Sequence, residues 1–189
     1  MKNTLLGLCL VMFAFNSFAH TDTDTDVAAA KAAIKEFAGA LQTELKSAMK
    51  SGGPVAAIAV CSTKAMPITA QTAAEHGMQL SRVSLKNRNP LNTPNAWQAD
   101  VLADFEEKRL AGKDISQLGW TETVEINGAK EFRFMKAIPT GEVCLRCHGS
   151  ELAPEISAVI AELYPEDLAT GYKEGEIRGA FVVTREVSN

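Results

Sequence analysis

The sequence has no run of basic residues, and its 19 Lys and Arg are outnumbered by 23 Asp and Glu, for a formal net charge of −4. That balance argues against nucleic acid as the main partner. There are no internal repeats. Beyond the first residues, no apolar stretch is long enough to cross a bilayer. Histidine is scarce, with three in the chain. There is a single C-x-x-C pair and no H-x-x-x-H, so the spacing does not supply the four ligands of a structural zinc site.

What is present fits one domain. A chain of 189 residues with 46% hydrophobic content can bury a real core and carry an extension. The N-terminus reads as an export signal over residues 1–19. Lys2 gives it a positive start, Leu5 to Phe15 an uncharged apolar segment, and Ser17-Phe18-Ala19 a small-x-small cleavage site. Cutting after Ala19 makes His20 the first mature residue. Cys9 follows Leu8 rather than a small residue, which argues against a lipoprotein cut there. The expected product is a soluble protein of the bacterial periplasm or an equivalent space, with no transmembrane segment. Residues 20–26, where Thr and Asp alternate, read as a flexible leader. Residues 27–189 read as a single domain.

Along that domain, Ile34, Phe37, Ala38, Leu41, Leu45 and Ala48 recur at helical spacing and predict a long N-terminal helix. Ser51-Gly52-Gly53-Pro54 should stop it. Val55 to Val60 reads as a short buried strand ending at Cys61, with a helix as the alternative. Pro67 to Glu75 reads as a helix closed by His76-Gly77, and Leu80 to Leu85 as a strand. Thr93-Pro94 looks like a cap and first residue for a helix carrying Trp97, Val101, Leu102 and Phe105. Asn127-Gly128 predicts a hairpin between Trp120–Ile126 and Ala129–Ile138, in one sheet with the strand ending at Cys61. Pro154 to Leu163 reads as a short helix and the segment from Ile177 as a last strand. The order implies an α+β fold: a small antiparallel sheet with helices on one face.

The chemistry sits in Cys144-Leu145-Arg146-Cys147-His148. C-x-x-C-H is the attachment signature of c-type haem. Two thiols three positions apart on a turn can form thioethers with the two vinyl groups of one porphyrin, and the next residue points an imidazole at the iron. Thiol redox chemistry is the main rival, but it places its C-x-x-C at the start of a long helix. Here Pro139-Thr140-Gly141 precedes the pair and Gly149 follows it.

Export removes Cys9 and leaves Cys61, Cys144 and Cys147, an odd number that needs an explanation in an oxidising space. The second axial position of an iron is open to Cys61, His76, His20, Met49, Met66, Met78, Met135 or a lysine. A thiol placed where a helix starts would be favoured as thiolate, the ligand form.

Several ordered segments carry a resemblance. Ala57-Ile58-Ala59-Val60-Cys61 leads into Ala65-Met66-Pro67-Ile68-Thr69-Ala70. Arg82 to Asn92 follows, with Pro94 and Trp97, then Cys144 to Gly149, Gly171-Tyr172 and Gly175 to Ala180. Together they resemble the family of periplasmic c-type haem domains with a PAS-like fold, over about residues 30 to 187. Met66 is a mild departure, since a small residue is common there.

The resemblance implies one covalent haem c, a PAS-like antiparallel sheet with flanking helices, and iron held between His148 and the thiolate of Cys61. Arg82, Lys86, Arg88 and Arg178 are the basic residues inside the resembling segments, and the haem propionates need partners: Arg88 is the first candidate, since its Asn-Arg-Asn-Pro loop also offers backbone donors, and Arg82 the next. The expected function is a redox or diatomic-gas sensor module that binds gas when reduced and answers to a redox or signalling protein. A small low-potential electron-transfer cytochrome is the alternative. No side chain is placed as a distal acid–base group, so an enzyme is not expected.

Overall fold

The computed structural model of the chain describes residues 22–187. The export signal, its cleavage site and Cys9 lie outside the described residues.

The first helix, α1 (Asp22–Thr63), is long and broken once. Ile34, Phe37 and Leu41 are buried along its first part, as their spacing predicts. It begins inside the segment read as a flexible leader, which corrects that reading for residues 22–26. The cause is tertiary. The Asp26 carboxylate is buried and paired with Arg185 of the last strand, which anchors the first turns.

At Gly53 the backbone leaves the helical region, with φ 70° and ψ −164°. A residue before proline is pushed out of the α region, and glycine alone tolerates that φ cheaply. Helix then resumes from Pro54. The stop signal was therefore real, but Val55 to Val60 is helix and not strand. A six-residue apolar run has no period long enough to distinguish the two. Packing decides it here: Ile58 is buried against Ile156, Ile160 and Tyr164.

α2 (Ala65–His76) follows almost without pause and ends on Gly77 in the left-handed conformation, as expected. The strands are β1 (Gln79–Val83), β2 (Gly119–Ile126), β3 (Ala129–Pro139) and β4 (Ile177–Val187). They form one antiparallel sheet in the order β1-β4-β3-β2. Asn127 and Gly128 both have positive φ, 54° and 83°, which suits the tight hairpin that joins β2 to β3. Because Cys61 lies on a helix, the expected strand ending there does not join this sheet.

α3 (Ala96–Leu110) starts two residues later than Thr93-Pro94 suggested. Its cap is Asn95, whose side chain accepts from Gln98 N–H while Gln98 answers the Asn95 N–H. Thr93 instead closes the short turn before it, donating to the Pro90 carbonyl at 2.7 Å.

The sheet is covered on both faces, not one. Phe132, Phe134, Leu80 and Val183 face α1 and α2. Met135, Ala137, Ala180 and Val182 face Val101, Leu102 and Phe105 of α3. The parity of each strand separates the two sets. Phe37, Phe105 and Phe132 are at most 1% exposed; full burial of such a side chain contributes roughly 1.5–3 kcal/mol. The fold class is α+β, with an antiparallel sheet, flanking helices and a long N-terminal helix, as the sequence implied.

Candidate functional site

The C-x-x-C-H segment forms the compact turn its flanking residues predict. A short 3-10 turn runs Glu142–Cys144, and α4 (Leu145–His148) is a single helical turn. Gly149 ends it in extended backbone. A Cβ on Gly149 would come within 2.6 Å of the Leu145 carbonyl oxygen, so glycine is required by close approach. A thiol-redox pair at the head of a long helix is not the geometry here.

The turn is stitched to the segment before β4. Tyr172 N–H donates to the His148 carbonyl at 2.9 Å and Gly171 N–H to the Gly149 carbonyl at 3.0 Å. Arg88 donates to the Cys147 carbonyl at 2.6 Å. The His148 ring donates from Nδ1 to the Ala169 carbonyl at 2.7 Å. That bond sets the tautomer and leaves Nε2 with its lone pair. Burial first, then the charges of Arg178 and Arg88, push the imidazole pKa down to about 3. The ring is neutral near pH 7, which is the form a metal binds. A backbone carbonyl behind the ring is the usual partner of a metal-binding histidine.

Cys61, Cys144 and Cys147 are all unbridged and partly buried. Cys61 lies in the last turn of α1, close enough to Cys147 for their charges to interact. It is not at a helix N-terminus, so the expected dipole effect is absent. Burial raises its pKa, and Arg82, Arg88 and Arg178 each oppose that rise. Three guanidiniums thus act on the one cysteine that lies outside the C-x-x-C-H turn among the described residues.

The sequence-chosen cations differ in their commitments. Arg88 is bound to Asp167 through Nε at 3.0 Å and Nη2 at 3.2 Å, besides its bond to Cys147. Arg82 and Arg178 instead rest over aromatic rings, 5.2 Å from Phe37 and 5.1 Å from Tyr172. Arg82 and Arg178 are bound to no carboxylate among the described residues and retain donors for an anionic group, whereas Arg88 spends Nε and Nη2 on the protein. Lys86 caps the Tyr172 ring at 4.4 Å.

The other candidate iron ligands are placed elsewhere. His76 Nε2 is paired with Glu36 at 2.9 Å. Met78 is in the core beneath α1, and Met135 is on the opposite sheet face under α3. Met66 is 44% exposed. His20 lies outside the described residues. No three His, Cys, Asp or Glu side chains converge as a metal cage among the described residues.

Asp167, Ala169 and Tyr164 had no signal of their own in the sequence. Tyr172 was visible only as half of a Gly-Tyr pair. Each acts through backbone or packing: Asp167 accepts the Ala169 N–H at 3.0 Å, and Tyr164 packs with Ile58, Ile156 and Ile160 beside Cys147.

The fold and site together define an α+β module that carries a neutral imidazole and two thiols on one turn, with a third thiol in the neighbouring last turn of α1. A family model for Tll0287-like domains matches residues 20–185, and the chain belongs to that family. Among solved structures it is similar to that of "the cyanobacterial heme-protein Tll0287", at 25% identity and a TM-score of 0.58. The likeness covers 86% of this chain and 92% of that one. No curated protein matches.

Proposed function

We propose that this chain is an exported, periplasmic c-type haem protein that serves as a redox or diatomic-gas sensor module rather than an enzyme. One observation carries the reading: in the C-x-x-C-H turn, His148 is held by Nδ1 and neutral, so that Nε2 keeps its lone pair on the same turn as two unbridged thiols. Membership of the Tll0287-like family and the likeness to a heme-protein support the same group.

A haem bound there supplies an iron whose charge changes by one unit on reduction and which can take a small gas molecule. The chain's own residues divide the work around it. Cys144 and Cys147 are the thioether donors, so the group stays attached although the domain is small. His148 and Cys61 are the two side chains that would hold the iron. Arg82 and Arg178, whose donors are uncommitted to carboxylates, hold the propionates. Arg178 replaces Arg88 in that role.

Cys61 is the residue that can change state. Burial favours its neutral thiol, and three guanidiniums favour its thiolate. A thiolate favours the higher oxidation state, so the protein should have a low reduction potential and should open its sixth position when reduced. Absorption spectra of the oxidised and reduced protein, with and without carbon monoxide, test this. Low-spin oxidised protein that binds carbon monoxide on reduction is the expected result. Six-coordination in both states, with no carbon monoxide bound, would favour the electron carrier instead.

A further inference from the structure

Behind His148 lies a buried ion pair that no metal or haem contact requires. Arg88 and Asp167 are 79 positions apart in sequence, and their side chains are only 11% and 8% exposed. Arg88 Nη2 donates to the Cys147 carbonyl at 2.6 Å and approaches the Ala169 carbonyl at 3.4 Å. Asp167 Oδ1 takes the Ala169 N–H at 3.0 Å. Ala169 is the residue whose carbonyl takes the His148 Nδ1 proton, at 2.7 Å. The guanidinium of Arg88 also lies 6.0 Å from the Tyr164 ring centre.

Burying two charges costs desolvation that packing alone would avoid. What the cost secures here is geometric. One planar guanidinium holds the Cys147 carbonyl, just before His148, through Nη2, and through Nε the Asp167 carboxylate that takes the N–H of Ala169, on which His148 leans. A forked, bidentate cation can fix two such points together, whereas a flexible ammonium fixes one. A direct surface role is excluded by burial, and Asp167 reaches the imidazole only through Ala169.

We propose that Arg88 and Asp167 are positioning residues for His148, holding the Cys147 and Ala169 carbonyls so that the ring keeps its proton on Nδ1 and presents a bare Nε2. What Nε2 then binds rests on the haem reading above, but the positioning is a property of the chain itself. Asp167→Ala removes both the Ala169 acceptor and the counter-ion of Arg88. Asp167→Asn keeps an Oδ1 acceptor for the Ala169 N–H and Arg88 Nε, and loses the charge and the second oxygen that Arg88 Nη2 meets. Arg88→Lys keeps the charge and loses the fork.

The test uses the full-length chain in two forms. In haem-free chain with 15N-labelled histidine, long-range 1H–15N NMR reads the tautomer of His148 directly. Wild type is expected to show Nδ1–H alone. Asp167→Ala and Arg88→Lys are expected to populate both tautomers, and Asp167→Asn to recover most of the wild-type signal. In the haem-loaded protein, the low-spin ferric EPR signal reads the ring's orientation. It should be a single species in wild type and should shift or split in Asp167→Ala and Arg88→Lys, even where the haem-free variants do not fold. Tautomer and EPR signal unchanged in both variants, with only thermal stability lowered, would make the pair a plain strut and overturn the inference. A wild type that carries no covalent haem would instead overturn the haem reading and leave the tautomer result to stand by itself.

Discussion

Cys61 sits between opposed influences, and its substitution separates them. Covalent attachment depends on Cys144 and Cys147, so Cys61→Ser should leave the haem on the chain. A hydroxyl is close to a thiol in size but a poor donor when protonated, so packing should survive while the donated charge is lost. The mutant is expected to have a raised reduction potential, a high-spin component when oxidised, and readier carbon monoxide binding when reduced. Potentiometry and absorption spectra read all three. An unchanged spectrum and potential would show that Cys61 is not a ligand.

His148 gives a second prediction at the same scale. In the haem-free chain its imidazole takes up a proton only near pH 3, against 6.5 for an unperturbed ring. Between those values the unfolded state binds more protons than the folded one, so stability falls as pH falls through that window. The slope from this group is up to about 1.4 kcal/mol per pH unit. Thermal melts from pH 7 to 4 should show a shallower loss in His148→Gln than in wild type. Equal slopes would contradict the buried, neutral ring.

The elements show why part of the sequence was legible and part was not. The first stretch of α1, α2, the Asn127-Gly128 hairpin and the helix α5 (Pro154–Leu163) announced themselves through periodicity or turn chemistry, which are local. Val55 to Val60 did not, because its helical state is settled by Ile58 packing on α5, far away in sequence. Helix at residues 22–26 was equally hidden, since Arg185 lies at the other end of the chain. The C-x-x-C-H turn was readable because its chemistry needs a fixed spacing. Asp167 was not, because one partner is the Ala169 backbone and the other, Arg88, lies 79 positions away in sequence.

Two element-level substitutions follow from the same physics. Asn95→Ala removes the side-chain acceptor of the Gln98 N–H, one half of the α3 capping box, and should cost about 1 kcal/mol. Gly179 has φ 146°, and a Cβ there would collide with the Val83 carbonyl where β4 meets β1. Gly179→Ala should therefore cost roughly 3 kcal/mol. Denaturant titration of both variants checks the ranking; a Gly179→Ala protein as stable as Asn95→Ala would mean that β1 and β4 are less tightly paired than they stand here.

For the whole molecule, the sheet acts as a frame with a core on each face. α3 completes one face, and the first part of α1 with α2 completes the other. The second part of α1 is then left to meet α5 and Cys147 beyond the sheet. That division puts Cys61 and His148 on separate segments, 87 residues apart (148 minus 61), that share one small cluster of Ile58, Ile156, Ile160 and Tyr164 with Cys147 packed against it. The Arg82 and Arg178 side chains come from β1 and β4, the paired strands nearest that junction.

The central claim is that this frame carries a covalent haem, and denaturing electrophoresis with a haem stain tests it most directly. The full chain, made with a cytochrome c maturation system, should keep its haem through denaturation and stain at the size of the polypeptide. Cys144→Ala with Cys147→Ala should lose the stain and keep the protein band. A wild-type band that binds no haem under these conditions, or a double mutant that stains as strongly as wild type, would contradict the account.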